Sequence, residues 1–449
     1  MTDIESKKYS FLVQKCIDEP FVTYKQRIEL LKKLLKIVRE NEEQISKSLY
    51  LDLNKHANES YFSEIGLVIR EIRKTIKNLK KWMKPKRVKT PFLLFSGNSK
   101  IIQQARGLCL IISPWNYPFY LTMMPLISAI AAGNRVIIKT SELSENTTKL
   151  LNELLNNHFD KNFVYVMNSS IEGIIEMLKN RFDFIFFTGS ERVGTLVSQQ
   201  AAKFHTPITL ELGGKCPVII ADDIDLEYCA SKIMSAKLIN SGQTCVAPDY
   251  VVIEKGKADK FVDYCNKYVE THLSDLREFP KIISPLHYHR ILNLLPDNVN
   301  IEHFEDMQKI YPKAFVSKWD SKAMQQEIFG PLLPVIGYDY FNEVVNKISL
   351  RSQPLSTYLF TKDSKKMDFI SKNIKTGSLV INDLMIQLVS ENLPFGGVGS
   401  SGNGRTHGYA GFLNFSNPVS FYRRKNFSTK LSEHPYTQSK LSIIKKILK

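Results

Sequence analysis

The chain has 449 residues, 43% hydrophobic and 24% charged, which excludes a disordered or fibrous protein and exceeds what one hydrophobic core usually serves. Its formal net charge is +16, and residues 421 to 449 hold eight Lys or Arg against one Glu, a local balance of +7. No nucleic-acid reader module accompanies that charge, so nucleic acid is not an expected partner.

The opening "MTDIESKKYS" lacks the apolar core of a secretory signal, and the longest apolar stretch, Leu121 to Ala132, is too short to span a bilayer. Residues 24 to 51 predict one amphipathic helix, with Ile28, Leu31, Leu35 and Val38 at helical spacing. A second, basic helix is predicted from about Tyr61 to Trp82, stopped by Pro85 and Pro91. Residues 92 to 104 predict an extended connection. From residue 107 short apolar runs alternate with helical patterns: "GLCLII", "RVIIKT", "FVYVM", "FDFIFFTGS" and "ITLEL" predict strands, with helices between them. That alternation predicts parallel βαβ units and a doubly wound α/β sheet, with ligands outside the carboxyl ends of its strands. A second α/β region follows residue 215, with "PVIIA", "VVIE", "LLPVIGY", "STYLFT" and "GSLVIN" as strands. The closing "KLSIIKKILK" has the pattern of a short basic amphipathic helix, with Leu441, Ile444 and Leu448 on one side. Such a helix can lie on an anionic membrane surface, although a solvated tail is the plainer reading.

Six cysteines, Cys16, Cys109, Cys216, Cys229, Cys245 and Cys265, include no C-x-x-C pair. Free thiols in a reducing compartment are expected, with the cytoplasm as the default location and no metal site. Within "NSGQTCVAPDY", Cys245 sits in a small polar turn where backbone amides can approach a reacting atom. A nucleophilic cysteine needs exposure and a depressed pKa. Taken alone, Cys245 is more often an ordinary buried thiol. Gly397-x-Gly399-x-x-Gly402 formally matches a dinucleotide fingerprint, but it follows no strand directly and the chain ends before a βαβ unit could close. A flexible loop that admits other backbone is the better reading.

Seven stretches in order, "SPWNYP" (113–118), "KTSE" (139–142), "FTGSERVG" (187–194), "LELGGK" (210–215), "GQTCVAPDY" (242–250), "EIFGP" (327–331) and "PFGGVGSSGNGRTHG" (394–408), give a strong resemblance to the aldehyde dehydrogenase superfamily. Within it the chain is similar to the class 3 branch, whose members are typically dimeric. The resemblance spans about residues 10 to 425. It implies that Cys245 is the nucleophile, passing through a thiohemiacetal and an acyl-thioester. It also implies that the Asn116 amide and the Cys245 N–H receive the oxyanion, and that Glu211 is the general base. A turn residue and a strand-end glutamate are the plain alternatives for Asn116 and Glu211. The cofactor implied is NAD, with NADP also open. Gly189 and Ser190 would meet its pyrophosphate at a helix N-terminus, and Lys139 and Glu142 the adenosine ribose. Glu327 would hold the nicotinamide ribose, Phe329 would pack on the nicotinamide side, and Trp115 is a further expected cofactor contact. Thr140 replaces a usual Pro. The stretch "LSDLREFPKIISPLHYHRI" is short, and Gln387 stands where many class 3 members carry His; both departures bear on substrate access.

The resemblance implies a dinucleotide-binding domain (1–83 and 106–212), a catalytic domain (213–409), a bridging element used for dimerisation (84–105 and 410–428) and a basic tail (429–449). The expected substrate is an apolar aldehyde, medium- to long-chain or aromatic. Transfer of the acyl group to coenzyme A is the alternative, with a papain-type hydrolase and a non-catalytic basic surface-binding protein behind it.

Overall fold

Strands covered on both faces are apolar through their middles, and the runs picked out above behave so: Leu108–Ile112 and Arg135–Lys139 are buried at every position, with the only charges at the two ends of the latter. In the computed structural model, which describes residues 2–94, 96–167, 170–273, 275–390, 392–424 and 430–448, they are central strands of a six-stranded sheet. Its order is 402–403, 208–212, 184–189, 108–112, 135–139, 164–166, all parallel except the first. A second six-stranded sheet, parallel throughout, runs 313–317, 332–338, 250–254, 217–220, 356–360, 378–381. A small antiparallel sheet joins 86–88, 97–105 and 416–424. The extended stretch 92–104 thus contains most of that sheet's central strand.

Helix Tyr120–Ala132 is apolar all round and buried at all but one position, as a helix sandwiched between a sheet and other helices must be. It stops at Gly133, whose φ of 91° is open to glycine and strained for other residues. Its apolar face and those of helices Tyr24–Glu40 and Gly66–Trp82 enter one core with the first sheet. Helix Gly408–Asn414 adds Phe412 to the same core, so the chain returns to the first sheet near the end of the segment assigned to the catalytic domain.

Three expectations are corrected. The single helix over 24–51 is two, Tyr24–Glu40 and Glu42–Leu53, because the Asn41 side chain donates to the Ile37 carbonyl and the residue itself leaves helical geometry. The helix from Tyr61 opens with a π-turn, Tyr61–Ile65, before α-helix Gly66–Trp82. The glycine-rich run is packed rather than flexible: Gly402–Asn403 pairs with Leu210–Glu211, and a Cβ on Gly402 would lie 2.0 Å from the Leu210 carbonyl oxygen. The tail contains helix Gln438–Ile447, which buries no residue. Among the described residues no helix is long and apolar enough to cross a membrane, and no group of three His, Cys, Asp or Glu could hold a metal.

Candidate active site

The carboxyl ends of strands 108–112, 184–189 and 208–212 open onto a cavity of about 700 Å³, closed from the other side by the turn carrying Cys245. Cys245, Asn116, Glu211, Trp115, Gly189, Ser190, Glu327 and Phe329 all line it. Residues scattered over more than two hundred positions therefore face one space. Lys139 and Glu142 do not line it. They form an ion pair with each other at the end of strand Arg135–Lys139. Gln387 is also absent from the cavity wall: its amide is buried and donates to Ser356 Oγ at 2.9 Å and Tyr358 Oη at 3.2 Å. The expected influence of Gln387 on substrate access is corrected accordingly. His287 and Arg290, from the shortened stretch, do reach the cavity.

The Cys245 turn is held in an uncommon conformation. Asn240, Ser241 and Gly242 are consecutive left-handed residues with φ of 53°, 54° and 70°, a geometry that costs of order 1–3 kcal/mol at each non-glycine position. A Cβ on Gly242 would stand 2.3 Å from the Gly330 carbonyl oxygen, so this turn rests directly on the segment that carries Glu327 and Phe329. Phe329 is itself left-handed, with φ 48°. Its ring meets Trp115 edge-on at 5.4 Å.

The Asn116 loop is clamped to the Cys245 turn. Asn116 Nδ2 donates to the Gln243 carbonyl at 3.0 Å, and Asn240 Nδ2 donates to the Asn116 carbonyl at 2.8 Å. The Tyr117 and Thr244 hydroxyls share a hydrogen bond of 2.7 Å. One N–H of the Asn116 amide is thereby committed, and among the described residues the second meets no acceptor. Beneath the loop lies a fully buried ion pair, Lys55–Glu64, at 2.6 Å. Glu64 accepts from the Phe119 and Tyr120 amides at 3.1 and 3.0 Å, and Lys55 donates to the Asn116 carbonyl at 3.4 Å. Neither residue stands out in the sequence. They lie in no motif, and only the fold brings them under the loop.

Burial dominates the electrostatics. The Cys245 thiol is pushed up to about 12, by burial first and then by the negative charge of Glu327 and Glu211. The expected depressed pKa is therefore absent from this form of the site, because two carboxyls and an apolar wall face the sulfur. Glu211 is 6% exposed, has no hydrogen-bond partner on either carboxyl oxygen among the described residues, and is raised well above the ordinary carboxylate range by burial, with Arg405 opposing. Glu327 is raised to about 8 by burial and then Asp249, against the Gly214 amide, Lys215 and Arg290.

The residues fit a dinucleotide. Ser190 caps helix Glu191–Ala202 by accepting from the Val193 amide, and the first turn of that helix lines the cavity, the positive end of a helix dipole suited to an anion. Gly213 leaves room for Glu327: a Cβ there would lie 2.1 Å from Glu327 Oε2. A side chain at that point would displace the carboxylate from the cavity wall.

A thiol, a clamped amide and a buried carboxyl thus share one cavity between the two six-stranded sheets, with a helix N-terminus at its edge, a grouping suited to nucleophilic chemistry on a bound carbonyl compound. The family model described as the aldehyde dehydrogenase family matches residues 21–420, and the chain belongs to that family. It is 38% identical to the 4,4'-diaponeurosporen-aldehyde dehydrogenase of Staphylococcus aureus, over 100% of both chains. It is also 38% identical to aldehyde dehydrogenase family 3 member A2 of Pongo abelii, over 92% of this chain and 88% of that one. These relatives agree with the class 3 resemblance. A solved structure of the substrate-bound state of Staphylococcus aureus AldH superimposes with TM-score 0.95 at 37% identity, covering 100% of each chain. The glyceraldehyde-3-phosphate dehydrogenase GapN of Methanocaldococcus jannaschii, complexed with NADP, shares the fold at TM-score 0.82 and 22% identity, over 94% of each chain. The protein is an aldehyde dehydrogenase.

Proposed function

We propose that this enzyme oxidises apolar aldehydes, medium- to long-chain or aromatic, to carboxylic acids with NAD or NADP, through a covalent intermediate on Cys245. The observation that carries this reading is the convergence of Cys245, Asn116 and Glu211 on a cavity whose remaining wall is largely apolar, with Leu121, Met124, Leu388 and Phe395 among its lining. The Cys245 thiol gives up its proton to water and the sulfur adds as thiolate to the carbonyl carbon, forming the C–S bond and moving the π electrons onto oxygen. The uncommitted N–H of Asn116 and the Cys245 backbone N–H receive that oxyanion; removing one such donor typically costs about 100- to 1,000-fold in rate. When bound, the nicotinamide supplies the hydride acceptor that turns the adduct into an acyl-thioester. Glu211 then takes a proton from water, whose oxygen attacks the acyl carbon; the C–S bond breaks and the acid leaves. Burial raises this carboxyl well above the ordinary carboxylate range, which makes it a stronger base once ionised.

Gly189 and Ser190 hold the pyrophosphate in this reading, Lys139 and Glu142 the adenosine ribose, and Glu327, Phe329 and Trp115 surround the nicotinamide. The name of the Staphylococcus aureus relative adds support for an aldehyde substrate. A series of straight-chain aldehydes of increasing length, followed by reduced-nicotinamide absorbance, tests the substrate class. The expected result is a kcat/KM that climbs with chain length; the best kcat/KM for short polar semialdehydes would reject it.

A homodimer built on the small sheet belongs to the same proposal. Strand Ser416–Arg424 is nine residues long, mostly exposed, and pairs on one side only, so it offers an open edge. Light scattering is expected to find twice the chain mass; a monomer at micromolar concentration would refute the dimer.

A further inference from the structure

Besides the tail, the net charge of +16 has a second centre. Residues 66 to 90 carry ten Lys or Arg and one acid, Glu71, which is buried. Helix Gly66–Trp82 turns Val68, Ile72, Thr75 and Leu79 inward and leaves Arg73, Lys77, Lys80 and Lys81 exposed. Helix Tyr24–Glu40 packs against it and exposes five cations, Lys25, Lys32, Lys33, Lys36 and Arg39, against Glu29 and Glu40. The two helices together present one cationic face.

That face runs into the mouth of the active-site cavity. Leu67 lines the cavity, and the helical stripe that begins there continues in steps of three and four residues through Arg70, Lys74, Lys77 and Lys81. Lys74 Nζ donates to Asn392 Oδ1 at 2.9 Å, tying the helix to the loop that carries Ile386 and Val389. Those two residues line the cavity and yet are 50% and 43% exposed; Phe62, in the π-turn before the helix, lines it at 53% exposure. The mouth therefore has an apolar lip continuous with a cationic helix.

We propose that this two-helix face docks the enzyme on an anionic lipid surface, with the lip of the cavity turned toward the lipid. Lysines at such a surface meet anionic headgroups, while half-exposed apolar side chains reach the boundary of the acyl region. The placement of the lip toward lipid rests on the apolar-substrate reading, since such aldehydes concentrate there. The charge complementarity of the helices does not. A nucleic acid is the rival partner for a cationic face, but phosphate contacts would leave Phe62, Ile386 and Val389 in water.

The test sediments the full-length protein with vesicles of phosphatidylcholine alone, or of phosphatidylcholine with phosphatidylglycerol. It compares wild type, the triple variant Lys77→Gln, Lys80→Gln, Lys81→Gln, and the tail variant Lys445→Gln, Lys446→Gln. Lys77, Lys80 and Lys81 lie outside the cavity, so oxidation of a water-soluble aldehyde without vesicles stays unchanged and reports that each variant is folded. Wild type is expected to bind the anionic vesicles, to ignore the neutral ones and to release with salt. The triple variant should bind on the order of 100-fold more weakly, and the tail variant should keep its binding. The proposal is overturned by wild-type levels of binding in the triple variant, by a loss confined to the tail variant, by no binding of wild type, or by tighter binding to a duplex DNA oligonucleotide than to anionic vesicles. Vesicle binding intact beside a failed chain-length series would remove the apolar-substrate reading and leave the docking face standing.

Discussion

At the scale of the residue, Cys245 has a nucleophile's position without a nucleophile's resting charge. Its thiol is held near 12 by burial, Glu327 and Glu211, so in the free enzyme it is almost wholly protonated at neutral pH. Only the thiolate alkylates. The iodoacetamide rate at Cys245, mapped by mass spectrometry, should therefore rise roughly tenfold per pH unit through the neutral and mildly alkaline range. A plateau at or below neutral pH would show that some cation depresses the thiol and that the electrostatic reading is wrong. Cys245, Asn116 and Glu211 were legible in the sequence because each sits in a short run of unusual composition. Gln387 was legible only as a departure from a family pattern. Its burial against Ser356 and Tyr358 follows from packing that no local pattern encodes.

At the scale of the element, the site depends on how two turns are pressed together. The three left-handed residues before Cys245 persist because Asn116, Asn240 and Gln243 bond across the gap. The Lys55–Glu64 pair supports the Asn116 loop from below. Replacing Lys55 by Met leaves the Glu64 charge buried without its partner, a change that typically costs about 3–5 kcal/mol. Denaturant unfolding of Lys55→Met should show that loss together with a fall in kcat, and an unchanged midpoint with unchanged kcat would mean that the pair supports nothing. The parallel strands were legible because short apolar runs bounded by turn residues and alternating with helical patterns have few alternatives. The break at Asn41 and the π-turn at Tyr61 were not, since helical periodicity continues across both and only hydrogen bonding interrupts it. The glycine-rich run read as mobile because glycine composition looks alike in a loose loop and in one packed against a strand.

At the scale of the whole molecule, the two parallel sheets bring their strand ends to a common cavity, and this arrangement makes a lone cysteine into a site. The family match and the fold agree on aldehyde oxidation. The surface adds a division that composition alone could not place: positive charge gathers on the tail and on two packed helices, of which Gly66–Trp82 begins at the cavity mouth. The central claim is that Cys245 carries the reacting carbonyl. The most direct measurement is reduced-nicotinamide absorbance with a mid-chain aldehyde and NAD, for wild type and for Cys245→Ala of matched thermal stability. Steady cofactor reduction is expected in wild type and none above background in the variant. Reduction that persists in Cys245→Ala would contradict it, because no other thiol among the described residues lines the cavity.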